Sequence, residues 1–135
     1  MGLARGLERR LEQLVDGFAA KLFRGRIHPV ELGTRIVREA DLAVFETPVG
    51  PGAPNAFDVT LGGDSETAET VAGAEQELAA VMEAAAAERG WRLEGPVTIR
   101  IQFGTGPASR ADVAASVETG PVGAWARLMS TDGKS

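Results

Sequence analysis

The side chains able to do chemistry are few, and their types limit that chemistry at once. The chain has no cysteine, no tyrosine and a single histidine, His28. Thiol nucleophiles, disulfides, thiolate metal sites and paired-histidine acid–base catalysis are therefore excluded within one chain. Carboxylates, hydroxyls and basic groups remain. Lys21, Arg24, Arg26, Arg35 and Arg38 flank one short stretch around Gly25 and His28-Pro29. Ammonium and guanidinium groups gathered there suit an acidic partner, a phosphate or anionic lipid headgroups. Thr47, Thr105 and Thr119 stand beside glycine and proline, in segments open to a kinase, where phosphorylation would create a local dianion. His28 directly precedes a proline, which predicts a helix-capping or packing residue rather than a pH switch. The many glutamates between residues 66 and 88 are scattered as on a solvated face, without the convergence a metal needs. Gly50, Gly52, Gly104 and Gly106 open no helix and are followed by no Gly-Lys-Ser/Thr, so no phosphate loop is predicted. The expectation is no enzyme, no cofactor and no metal.

The elements that would position these groups follow from periodicity. Leu3, Leu7, Leu11, Leu14, Val15, Phe18, Leu22 and Phe23 recur at spacings of three and four, which predicts one amphipathic helix from Gly2 to Phe23. Gly25 ends it in a left-handed conformation. Pro29 starts a second helix along Val30, Gly33, Val37 and Ala40, with Gly33 allowing another backbone to approach closely. Thr47 to Asn55 carries three prolines and two glycines, and reads as a loop extending off the surface. Phe57, Val59 and Leu61 alternate with polar residues, the mark of a half-buried strand. Gly62-Gly63 turns the chain, Asp64 or Ser65 caps a third helix, and Gly90 closes it. Trp91 and Leu93 begin an extended segment that Gly95-Pro96 interrupts. Val97, Ile99, Ile101 and Phe103 alternate cleanly as a strand, and Val113, Ala115 and Val117 form a weaker one. The short connection between these two predicts an antiparallel pair.

The fold class expected is α+β: a small two-layer sandwich, order ααβαββ, with three amphipathic helices on a mainly three-stranded sheet. If the strands before and after the third helix are parallel, their crossover is right-handed. The domain occupies residues 1–119. Residues 120–135 read as a linker, then a strand over Trp125 to Met129 and a turn at Asp132-Gly133 with no return strand.

Charge is unevenly placed. Residues 1–43 carry eight basic and six acidic side chains, whereas residues 44–90 carry one basic and nine acidic, so the overall charge of −5 hides a dipolar surface. That net acidity argues against bulk nucleic-acid binding. No apolar run approaches the ~18 residues of a membrane span. The leading function class is a protein-interaction module; the alternative is an anionic-surface or nucleic-acid binder using the basic helix–helix junction.

Several segments, in order, resemble the N-terminal domain of FhaA-type bacterial signalling proteins. They are Leu7-Glu8-Arg9-Arg10-Leu11-Glu12, the stretch Leu22 to Leu32 with Arg24-Gly25-Arg26-Ile27-His28-Pro29, Arg35-Ile36-Val37-Arg38-Glu39, Ala53 to Leu61, and Arg89 to Val97. The resemblance covers roughly residues 1–103. The stretch from Trp125 to Lys134 is similar to the opening strand and turn of a forkhead-associated (FHA) domain, without that fold's phosphate-contacting motifs. The resemblance implies a non-enzymatic, cytoplasmic adaptor in Ser/Thr kinase signalling linked to cell-wall synthesis and growth, membrane-proximal through its partners. Those partners would be a Ser/Thr kinase, the peptidoglycan-precursor flippase machinery, or growth and division proteins. Phosphothreonine binding would belong to the FHA domain alone.

Overall fold

The structure is a computed structural model that describes residues 2–119. The expected strand and turn beyond Gly120 lie outside the described residues. In chain order the elements are α1 (Gly2–Gln13), α2 (Phe18–Leu22), α3 (Pro29–Leu42), β1 (Phe45–Thr47), β2 (Gly50–Gly52), β3 (Ala56–Leu61), α4 (Ala68–Arg89), β4 (Thr98–Phe103) and β5 (Ala111–Ser116). The architecture is mixed α+β, with helices packed on one face of a three-stranded sheet, as the alternation of period-four and period-two segments predicts.

Apolar alternation fixes the buried face of the sheet. Phe57, Val59 and Leu61 of β3 and Ile99 of β4 are buried, together with Leu14, Leu22, Leu32, Ile36, Leu78 and Met82 from the helices. The opposite face carries Asp58, Thr60, Arg100, Gln102 and Asp112, the alternate residues of the same strands. One face is thus core and the other is polar.

Four details depart from the expectation. The first predicted helix is two helices. The backbone turns with Leu14, Val15 and Asp16 donating to carbonyls three residues back, at 3.2 Å each, and Gly17 then extends before α2 begins. The helical apolar stripe continues through the break, because Leu11, Leu14 and Leu22 stay on the same core. Second, Thr47 to Asn55 is no protruding loop. It forms the short antiparallel hairpin β1–β2 and then buries Ala53, Pro54 and Asn55. That hairpin is stitched to the following segment by Arg92 N–H to Pro51 O (2.8 Å) and Ala53 N–H to Arg92 O (3.0 Å).

Third, α4 is capped by Thr67 rather than Asp64 or Ser65. The Thr67 hydroxyl accepts from Thr70 N–H at 3.2 Å and donates to the Thr70 hydroxyl at 2.9 Å. Fourth, β5 does not pair with β4. The sheet order is β4-β3-β5, with β3 parallel to β4 and antiparallel to β5. The connection 104–110 crosses the end of β3, where a Cβ on Gly62 would lie 2.0 Å from Pro107 O. Gly62 is the residue over which the chain passes to reach the far edge.

Gly25 and Gly90 both take the left-handed conformation expected of them. Gly33 receives not a backbone but the side chains of Leu11 and Leu14, which seat α1 on α3.

Candidate functional site

The basic residues singled out by sequence separate into two groups. Lys21 and Arg24 lie at the end of α2 and line an open groove of about 570 Å³ together with Val15, Asp16, Phe18 and Glu77. Arg35 and Arg38 line a different groove, with Glu31 and Thr34.

Arg26 stands apart from both groups. Its side chain is 6% exposed, donates to Gly62 O at 2.9 Å and to Asp64 O, and sits 3.9 Å from the Glu66 carboxylate. The guanidinium also lies over the Phe103 ring, 5.2 Å from its centre. These contacts fasten the chain after α2 to the start of the α4 segment. Arg26 is a structural staple, and one of its partners is the Asp64 carbonyl, three residues before the Thr67 cap. Arg35 is similarly engaged, donating to Ala111 O at 2.7 Å and pairing with Glu31 at 3.4 Å. Arg38 is exposed.

Two apolar side chains complete the α2 surface. Val15 is 44% and Phe18 39% exposed. Both stand at the α1–α2 break, so the break itself turns them outward. Phe18 and Glu77 also line an adjoining hollow of about 270 Å³ with Arg10, Gln13 and Leu14. Val15 and Arg24 continue into a third, of about 380 Å³, beside His28. Among the described residues, neither Lys21 nor Arg24 has a hydrogen-bonding or ion-pairing partner for its side chain. The result is an apolar strip, Val15 and Phe18, next to two uncommitted cations.

Glu77 makes this surface, and sequence periodicity did not find it. It lies on α4, in what reads as a solvated acidic face. Its carboxylate accepts from the backbone N–H groups of Phe18 and Ala19, both at 2.8 Å. The first turn of α2 is thus capped by a residue about sixty positions away. The approach needs two glycines. A Cβ on Gly17 would meet the Glu77 carboxylate at 2.1 Å, and a Cβ on Gly73 would meet Phe18 at 2.2 Å. Gly17 in a run of helical spacing was the available signal for the break.

The remaining candidates are placed as follows. His28 caps α3, its Nδ1 accepting from Val30 N–H at 3.2 Å, as expected for a residue before a helix-starting proline. Thr47 is half-buried and bonded within its hairpin, to Gly50 O and from Val49 N–H. Thr105 is exposed in the 104–110 connection, and its carbonyl accepts from Arg110. Thr119 is exposed and is the last of the described residues.

The polar sheet face holds a separate charge cluster. Arg100 donates to Asp58 (2.8 Å) and to both oxygens of Glu118 (2.8 and 3.3 Å). The bonds to Glu118, then those to Asp58, hold its guanidinium more firmly protonated than an ordinary arginine. These charges satisfy one another and form no acid–base pair directed at a cavity. Among the described residues, no group of three or more His, Asp or Glu side chains is placed to hold a metal ion. Nor is any described helix long and apolar enough to cross a membrane.

Comparison with known proteins adds two likenesses. The model of the family described as "FhaA, N-terminal domain" matches residues 5–106. A solved chain described as "Rv0020c_Nter structure" is similar in fold, with a TM-score of 0.61 and 23% identity over 73% of this chain and 78% of that chain. At that identity the second likeness speaks for the fold alone. Among curated proteins, none matches.

Proposed function

From the premise that this chain belongs to the FhaA N-terminal domain family, we propose that it is a non-enzymatic docking module of an FHA-domain protein. The module works in bacterial Ser/Thr kinase signalling linked to cell-wall synthesis and growth. Its partner presents an acidic segment with at least one apolar side chain, drawn from a kinase, the peptidoglycan-precursor flippase machinery or a growth or division protein. The carrying observation is the α1–α2 surface: Val15 and Phe18 half-exposed beside Lys21 and Arg24, neither of which has a partner among the described residues. Apolar burial supplies affinity there, and the two cations select acidic partners and speed their encounter.

The reading includes a cytoplasmic location and a domain boundary after Thr119, followed by a linker into an FHA domain. Support for the boundary comes from Asn55, whose side-chain amide holds the Glu118 backbone from both sides (2.7 and 2.8 Å). Ordered pairing with the domain therefore extends to Glu118.

The test is affinity capture from a cell extract with the chain as bait, wild type against Lys21→Glu/Arg24→Glu. Both residues are exposed at the end of α2, so the variant is expected to keep its fold. The expected result is an acidic signalling or cell-wall protein retained by wild type and lost by the variant. Equal capture by both forms removes the α2 surface from the account. Retention instead by anionic vesicles, with no protein captured, would favour the anionic-surface alternative.

A further inference from the structure

The two edges of the sheet are treated differently. On β4, the outward N–H of Ile101 is taken by the Glu75 carboxylate of α4 at 2.8 Å, which covers that edge in its middle. On β5 the corresponding cover is confined to one end, where Arg35 takes Ala111 O. Gly62 N–H donates to Arg110 O at 3.1 Å, immediately beyond the pair Leu61–Ala111. Bonded and non-bonded pairs alternate along an antiparallel ladder, so Asp112, Ala114 and Ser116 turn their backbone groups to β3. Val113 and Ala115 turn theirs outward. Asn55 holds Glu118 from the inner side, which sets Val117 outward as well. Val117 is 45% exposed. Among the described residues nothing takes the outward N–H and C=O groups of Val113 and Ala115, and a strand edge left so is a template for another strand.

We propose that β5 pairs antiparallel with β5 of a second copy of this chain, about a two-fold axis at Ala114, to give one six-stranded sheet. The side chains specify both the occupant and the register. An isologous contact sets each residue against its own mirror position. With the axis at Ala114, Val113 faces Ala115 of the second copy and exchanges two backbone hydrogen bonds with it, and symmetry repeats the exchange. On the polar face, Asp112 then faces Ser116, small Ala114 meets itself, and Arg110, paired with Asp112 in its own chain, faces Glu118, paired with Arg100 in its own. On the core face, Val117 faces Ala111 and Val113 faces Ala115, so apolar surface meets apolar surface. Moving the axis to Ala115 sets Asp112 against Glu118, acid on acid. Moving it to Val113 sets Glu118, which Arg100 holds within its own chain, against Ala108. Complementary charge thus favours one register of a self-pairing strand.

The test uses the whole chain in two ways. Sedimentation velocity from about 5 to about 500 µM should show a dimer that dissociates on dilution. Ala115→Pro removes only an outward N–H, as proline at a sheet edge does, and should raise the dimer Kd about tenfold or more. The second arm exploits the absence of native cysteine. At a non-bonded antiparallel pair the Cα atoms stand about 4.5 Å apart, inside the range a disulfide spans. Ala114→Cys should therefore oxidise to a covalent dimer, while Asp112→Cys, which faces Ser116, should not. A chain that stays monomeric over the whole range overturns the proposal and leaves the edge to a strand of another protein. Equal crosslinking of Ala114→Cys and Asp112→Cys overturns the register.

Discussion

Replacing Asn55 with alanine should be among the most damaging single changes in the domain, although Asn55 lies in a segment that reads as loop. Its side chain is 1% exposed and fully used. Nδ2 donates to Pro96 O (3.1 Å) and Glu118 O (2.7 Å), and Oδ1 accepts from Glu118 N–H (2.8 Å). Its backbone adds bonds to Ser116 O (3.1 Å) and from Thr98 N–H (2.8 Å), so one residue joins the entries of β3 and β4 to the exit of β5. Alanine keeps the backbone bonds and loses the three side-chain bonds. At ~1 kcal/mol net for each, the loss is ~3 kcal/mol, with part of it arising from buried groups left without partners. For a domain of this size that lowers Tm by roughly 10 °C. Urea unfolding should show a lower midpoint at unchanged slope, and amide exchange at Glu118 should lose protection. Asn55→Asp keeps the acceptor for Glu118 N–H but replaces both donations with an anion facing two carbonyls, so at neutral pH it should be at least as harmful. An alanine variant within about 0.5 kcal/mol of wild type, with Glu118 still protected, would refute the assignment of Asn55 as the clasp.

Further expectations follow from the helix contacts. Glu77→Gln leaves one acceptor for two N–H groups, so it should cost ~1–2 kcal/mol and raise amide exchange at Phe18 and Ala19 without unfolding α4. Glycine-to-alanine changes inside helices ordinarily stabilise by ~1 kcal/mol; Gly6→Ala, whose Cβ meets nothing within 4 Å, should follow that rule, whereas Gly73→Ala should reverse its sign because Phe18 blocks the Cβ. Chemical denaturation of the pair reads both. Arg26→Ala should lower stability by ~2–3 kcal/mol through its carbonyl bonds and ring contact, while Arg24→Ala, exposed in the groove, should change it by less than ~0.5 kcal/mol.

Much of the fold is written in local periodicity. The helix from Pro29, the strand at Phe57, the helix ending at Gly90 and the strand at Ile99 each carry their apolar rows in the chain itself, and most members of those rows are buried or packed against the core. Features set by distant contacts are not legible in this way. The break at Gly17 is hidden because Leu14 and Leu22 keep helical spacing across it, and its cause, Glu77, lies on another element. The β1–β2 hairpin is masked by prolines and glycines, which mark turns but do not reveal that Phe45 packs over Gly52. Nearest-neighbour reasoning pairs β5 with β4, yet the 104–110 connection crosses the end of β3 at Gly62 and delivers β5 to the other edge. In the candidate site, residue type pointed to the basic junction, but only side-chain geometry separates Arg26 and Arg35, which bond carbonyls, from Lys21 and Arg24, which face the groove.

The central claim is that a partner docks on the α1–α2 surface. Amide chemical-shift mapping of the labelled chain, titrated with the acidic segment of a captured partner, tests it most directly. Docking there concentrates the perturbations between Val15 and Arg24 and weakens them as ionic strength rises. Perturbations confined to the polar sheet face around Arg100, with Val15 to Arg24 unmoved, would contradict it.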